Sequence, residues 1–185
     1  MAEYADYVAR LRAPLPTSAT VLDLIRFATL AANGHNTQPW RFQIAERSIA
    51  IRPDFSRRTP AVDPDDHHLY ASLGCAAENL AIAAAARGKL GELRFSTGTV
   101  NAVTFDYVEQ ASISTPLFDA IPRRQSTRAE YDGRGVPSAH LELLRAASAV
   151  PGVDIVLVTD KVTQRKVREL VVAGNTAQKP SDRKS

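Results

Sequence analysis

The stretch Asn33-Gly34-His35-Asn36-Thr37-Gln38-Pro39-Trp40-Arg41-Phe42-Gln43-Ile44 passes from a helix end, through a polar loop, into a strand. Upstream, Thr17 to Thr20 offer capping side chains, and Val21-Leu22-Asp23-Leu24-Ile25-Arg26-Phe27 opens a helix that the pattern carries to about Ala32. Asn33-Gly34 is a common helix stop. Downstream, Trp40, Phe42 and Ile44 alternate with Arg41 and Gln43, and Ile49 and Ile51 resume the alternation after a short turn. That pattern predicts a β-hairpin. A helix feeding a hairpin through a polar loop predicts an α+β fold, a sheet flanked by helices.

Working outward, Tyr4, Tyr7, Val8 and Leu11 place an amphipathic helix over Glu3 to Ala13, closed by Pro14 and Pro16. Asp63-Pro64 reads as a carboxylate cap followed by a first-turn proline. The helix it opens is expected over Asp65 to Ala86, with Gly88 as its stop. The second half of that helix is alanine-rich and apolar on nearly all sides, as buried helices are. Strands are expected at Leu93 to Ser96 and Val103 to Val108, with Val103, Phe105 and Tyr107 on one face. A short helix follows from Thr115 to Ile121. Further along, Ser138 is expected to cap a helix over His140 to Ala149. Val153 to Val158 reads as a buried strand, and Lys161 to Ala173 as a last helix ended by Gly174-Asn175. Lys179 to Ser185 lacks apolar periodicity and is expected to be disordered.

The segment Leu22-Asp23-Leu24-Ile25-Arg26-Phe27-Ala28 resembles Leu141-Glu142-Leu143-Leu144-Arg145-Ala146-Ala147. Each is followed by small residues, a glycine and an apolar run. The repeat suggests two copies of one unit, the second partial. It divides the chain into a first lobe, 1–112, a partial second lobe, 113–178, and the tail 179–185.

The chain has 185 residues and a formal net charge of +3. Its last seven residues hold three basic side chains and one acidic one, so two of the three net charges sit in the tail. The body is near neutral and shows no basic stripe with interleaved aromatics, which argues against a nucleic-acid partner. No apolar run reaches membrane-spanning length, and the start lacks a signal pattern, so a cytoplasmic protein is expected. The single cysteine, Cys75, excludes an intrachain disulfide. Within its apolar helix it is expected to be a small buried residue.

Two segments could carry chemistry. In the first loop, Asn33, Asn36 and Gln38 each offer a donor and an acceptor, suited to the edge of a planar heterocycle. The same residues would also serve as a plain polar turn capping the helix before them. The second segment, Arg123-Arg124-Gln125-Ser126-Thr127-Arg128, sets three guanidinium groups and two hydroxyls in six residues. Such forks match phosphate oxygens, although a solvated charged turn has the same composition. Asp63, Asp65, Asp66, His67 and His68 resemble a metal cluster. Adjacent histidines diverge on a helix, however, and the carboxylates suit a helix start, so no metal is assigned. No dinucleotide-binding glycine fingerprint is present.

Taken together, these segments resemble a known family. Ala31-Ala32-Asn33-Gly34-His35-Asn36-Thr37-Gln38-Pro39-Trp40-Arg41-Phe42 is similar to the signature of the nitroreductase family of FMN-dependent oxidoreductases. Ile121 to Tyr131 resembles that family's arginine-serine turn before an aromatic. Ser72-Leu73-Gly74-Cys75-Ala76-Ala77-Glu78-Asn79-Leu80 resembles its central helix. The order of motifs, loop first and turn second, looks like the Acg branch, in which two lobes fused in one chain imitate the usual homodimer.

The resemblance implies an FMN held between the two motifs. Arg124, Ser126 and Arg128 would hold the phosphate and the ring edge, with Gln125 contributing backbone. Asn33, Gly34, His35, Asn36 and Gln38 would form the wall facing the isoalloxazine. Electrons would pass from NAD(P)H through the flavin to a nitroaromatic or quinone-type acceptor, with no side chain required as an acid or base. Two other readings compete: a flavin-sequestering protein without turnover, and a truncated, self-associating remnant.

Overall fold

The computed structural model describes residues 2–98, 101–127, 129–148, 150 and 152–178. They fall into two compact units, Met1–Ser126 and Thr127–Ser185.

The first unit is of mixed α+β class, as expected. It contains helices α1 (Ala2–Arg12), α2 (Val21–Ala28), α3 (His67–Ala85) and α4 (Pro116–Ala120), and strands β1 (Trp40–Ile44), β2 (Ser48–Pro53), β3 (Lys89–Ser96) and β4 (Ala102–Glu109). The four strands form one antiparallel sheet in the order β1-β2-β4-β3. The predicted hairpin forms with Trp40 opposite Pro53 and Ile44 opposite Ile49.

Helix α3 lies at the centre. Leu69, Leu73, Ala76, Ala77, Leu80, Ala83 and Ala84 are buried along it. They share one core with Ile49 and Ile51 of β2, Phe105 and Tyr107 of β4, and Leu24, Phe27 and Ala28 of α2. The alanines let helix and sheet approach closely, and each fully buried large side chain contributes about 1.5–3 kcal/mol. Ring stacking of Phe118 on Phe27, with centroids 5.6 Å apart, and burial of Ile121 fasten α4 to the same core. Arg87 reinforces this region, donating from Nε to the Pro16 carbonyl (2.7 Å) and lying 5.0 Å over the Phe118 ring.

Several helix boundaries differ from the sequence reading. Helix α2 starts as expected, with a reciprocal capping box between Thr20 and Asp23, but stops at Ala28 rather than near Ala32. Residues 29–31 form turns that lead into the polar loop. Helix α3 begins at His67, because Asp66 is left-handed (φ 58°) and cannot continue a helix backwards. Asp63 still caps it from outside, accepting the backbone N–H groups of His68 (2.9 Å) and Leu69 (3.0 Å). Cys75 is exposed, contrary to the burial expected of it, because the buried face of α3 runs through Ala76 and Ala77 instead.

The second unit contains α5 (Ser138–Ala147) and α6 (Lys161–Gln178). Ser138 is the first helical residue and Pro137 the cap, so the expected serine cap does not form. Val153 to Val158 joins no sheet among the described residues, and Val156 is 83% exposed. An apolar extended run becomes a strand only where another strand offers ladder hydrogen bonds, and this unit has none among its described residues. Helix α6 runs straight through Gly174-Asn175, since one interior glycine costs a helix only about 1 kcal/mol. The expectation for 179–185 lies outside the described residues. Among the described residues, no helix is long and apolar enough to cross a membrane.

Candidate functional site

The loop between α2 and β1 is held in an unusual conformation by its own side chains. His35, Asn36 and Gln38 all have positive φ, at 50°, 57° and 53°. Non-glycine residues in this region cost of order 1–3 kcal/mol each and persist where surrounding contacts impose them. Those contacts are visible. The Asn33 amide oxygen accepts the Gln38 backbone N–H at 2.9 Å, and the Asn33 amide nitrogen donates to the Ala31 carbonyl at 3.2 Å. Gly34 N–H donates to Ser72 Oγ (3.2 Å), which itself donates to the His68 carbonyl (2.6 Å), tying the loop to α3. Pro39 is fully buried and Trp40 is buried beside it.

A cluster behind the loop braces it further. Asp54 N–H donates to the Pro39 carbonyl at 3.0 Å. Arg57 donates to the Thr37 carbonyl at 3.0 Å. The Asp54 carboxylate accepts from Arg41, from Ser56 N–H and from Ser56 Oγ. Hydrogen bonding from Arg41, then from Ser56, lowers its pKa to about 2.

These bonds divide the predicted loop residues by role. Asn33 and Gly34 are engaged in holding the loop. His35 is exposed. Asn36 and Gln38 line a cavity of about 460 Å³, and Gln38 Nε2 donates to Asn36 Oδ1 at 3.2 Å.

The basic turn reaches the same cavity. Arg124 lines it, donating from Nη2 to the Leu30 carbonyl at 2.9 Å across 94 residues of sequence. A second contact, Nη1 to Ser126 Oγ, is long at 3.4 Å. Gln125 and Ser126 are exposed. Arg128 lies outside the described residues.

One contributor had no place in the motif reading. Arg12, at the end of α1, donates from Nη1 to the carbonyls of Pro122 (2.6 Å) and Arg124 (2.9 Å). It also lines the cavity, together with Tyr4, Tyr7, Val8 and Leu11 of α1. The remaining wall is Thr29, Leu30 and Ala31. The apolar spacing of α1 was legible, but nothing in it distinguished a cavity-facing stripe from a core-facing one.

The cavity thus combines an apolar and aromatic side with two amides and two guanidinium groups. Volumes of 300–1,000 Å³ with a few convergent polar groups are typical of small-molecule sites. Among the described residues, no acidic side chain lines it. The arrangement suits a planar ligand with hydrogen-bonding edges and a negative charge.

The Asp63, Asp66, His67 and His68 group performs other work. Burial pushes the Asp63 carboxyl up, but the amide donations of His68 and Leu69, with both histidine rings nearby, outweigh it and hold the group below the ordinary range. Asp66 pairs with Arg58 at 3.0 Å. Among the described residues, no group of three or more His, Cys, Asp or Glu side chains is placed to share a metal ion.

No protein-family model matches the chain. Two proteins of Mycobacterium tuberculosis, from strains CDC 1551 / Oshkosh and ATCC 25618 / H37Rv, do match it. Both carry the provisional name NAD(P)H nitroreductase. Each is 30% identical over 155 residues, covering 78% of this chain and 44% of the relative. The chain therefore spans under half the length of these relatives. The chain is thus similar to proteins named as nitroreductases.

Proposed function

We propose that the chain binds FMN in the cavity between α1, the polar loop and the basic turn, as part of an NAD(P)H-dependent oxidoreductase acting on nitroaromatic or quinone-type acceptors. The observation that carries this reading is that Asn36, Gln38 and Arg124 line one cavity although the loop and the turn lie far apart in sequence. In this reading they come from a first lobe (1–112) and a partial second lobe (113–178), as in the fused Acg-like branch.

The donor set fits the cofactor. Arg124 supplies a guanidinium for the phosphate, with Ser126 beside it. Asn36 and Gln38 supply amides for the polar ring edge. Asn33 and Gly34 support from behind, holding the loop in its left-handed conformation. When bound, the flavin supplies the redox chemistry, and the protein binds, orients and shields it.

Titration of the full chain with FMN, followed by flavin fluorescence, tests the reading. Saturable quenching is expected, and it should weaken in Arg124→Ala. An unchanged signal in wild type would remove FMN from the site. Anaerobic mixing of the loaded protein with NADH or NADPH then separates turnover from sequestration, because a sequestering protein leaves the flavin oxidised.

A further inference from the structure

Helix α1 carries Tyr4, Tyr7, Val8 and Leu11 on one face, at the three- and four-residue spacing that aligns side chains along a helix. Such a face normally packs on the core. Here it lines the cavity, and Tyr4 and Tyr7 remain 74% and 52% exposed. The helix is nonetheless anchored at its end. Arg26 Nη1 donates to the Leu11 carbonyl (2.8 Å) and the Ala13 carbonyl (2.7 Å), and Arg12 grips the basic turn. The aromatic face is therefore fixed at the cavity wall, with Asn36, Gln38 and Arg124 lining the same space.

We infer that Tyr4 and Tyr7 form the stacking wall of this site, and that the site takes a flat aromatic ring bearing an anionic group. The inference rests on the flavin reading and deepens it by assigning ring recognition to α1 and charge recognition to Arg124. Tyrosine rings offer a large, rigid apolar surface with offset-stacking geometry. A ring lying on them keeps its polar edge free for the amides of Asn36 and Gln38. The guanidinium groups, with no carboxylate among the described lining residues, select a negative charge. The concavity of about 460 Å³ favours a small ligand over a second copy of the chain as the occupant.

The full chain, Tyr4→Leu/Tyr7→Leu, Tyr4→Phe/Tyr7→Phe and Arg124→Ala are compared for binding of FMN, riboflavin and naphthalene-2-sulfonate. Both tyrosines are exposed, so the leucine variant should fold, and circular dichroism checks this. The leucine variant should bind FMN and riboflavin about tenfold more weakly or worse, as loss of ring stacking implies. The phenylalanine variant should retain binding. Arg124→Ala should weaken FMN but spare riboflavin, which lacks the phosphate. If wild type and the leucine variant bind FMN equally, the tyrosine wall is overturned and the flavin reading stands. If wild type ignores FMN yet binds naphthalene-2-sulfonate, and the leucine variant does not, the wall stands and the flavin reading falls. Binding of no aromatic probe overturns both. A leucine variant that changes only oligomeric state, seen by size exclusion, overturns the wall in favour of self-association.

Discussion

The side-chain oxygen of Asn33 accepts the backbone N–H of Gln38 at 2.9 Å, closing the polar loop on itself. That bond, with the Asn33 donation to the Ala31 carbonyl, stabilises a segment containing three left-handed non-glycine residues. Removing both should release the loop. Asn33→Ala is expected to destabilise the protein by about 1–2 kcal/mol, roughly the worth of two ordinary hydrogen bonds. Asn33→Asp keeps the acceptor and should lose less. Urea denaturation of the two variants checks the order, and equal midpoints for wild type and Asn33→Ala would refute it.

Arg12 is expected to position Arg124 through the main chain, since its Nη1 bonds two carbonyls of the basic turn. Arg12→Ala should therefore weaken FMN binding, and Arg12→Lys, which keeps the charge but not the planar fork, should recover it only partly. The informative measurement is the ratio of FMN to riboflavin affinity. A positioning role predicts that this ratio falls in Arg12→Ala, whereas a general loss of structure would lower both affinities together.

Local signals carried much of the fold. Alternation in Trp40, Phe42 and Ile44 gave a hairpin because period-two patterning leaves few alternatives in a short apolar run. The capping side chains of Thr17 to Thr20 marked the start of α2, and the structure closes that start with a Thr20–Asp23 capping box whose partners lie within one turn. What failed depended on tertiary partners. Val153 to Val158 has strand composition but no strand to pair with among the described residues of its unit. Cys75 sits in an apolar helix yet on its exposed face, and one-dimensional composition does not resolve faces of an alanine-rich helix. In the candidate site, the motif named a loop that lines the cavity but not the division of labour within it. Asn33 is committed to backbone bonds while Asn36 and Gln38 reach the cavity, a distinction set by left-handed φ values that asparagine and glutamine do not announce.

Gly91 separates fold from site. It pairs with Tyr107 in the β3–β4 ladder, and a Cβ built on it would collide with the Asp106 carbonyl oxygen and lie 2.8 Å from the Tyr107 Cα. Both are backbone atoms, so the strands themselves must part. Gly91→Ala should cost about 1–3 kcal/mol, in the range of overpacked positions. None of the proposed ligand-binding residues lies on β3 or β4. Below its melting transition, the variant should bind FMN with wild-type affinity. A variant as stable as wild type in thermal melting would contradict the close approach.

Asp54 sets an acid limit on the brace behind the loop. Hydrogen bonding from Arg41 and Ser56 lowers its pKa to about 2, from an ordinary value of 3.8. A carboxyl whose folded value is depressed favours folding fully above its unfolded value, and that contribution is lost as pH falls through the folded value. The window for Asp54 thus runs from about pH 4 down to about pH 2. Asp23, Asp63 and Asp106 are also held low and add to the wild-type acid response, so the difference between two proteins is the clean measure. Asp54→Asn should be less stable than wild type at pH 6, and the gap should close as pH approaches 2. Because Asp54 also donates its backbone N–H to the Pro39 carbonyl, which a side-chain change leaves in place, the loop should loosen rather than unfold. Thermal melts of both proteins across this range decide the matter: a stability gap that stays constant with pH would show that the Asp54 charge contributes nothing to the brace.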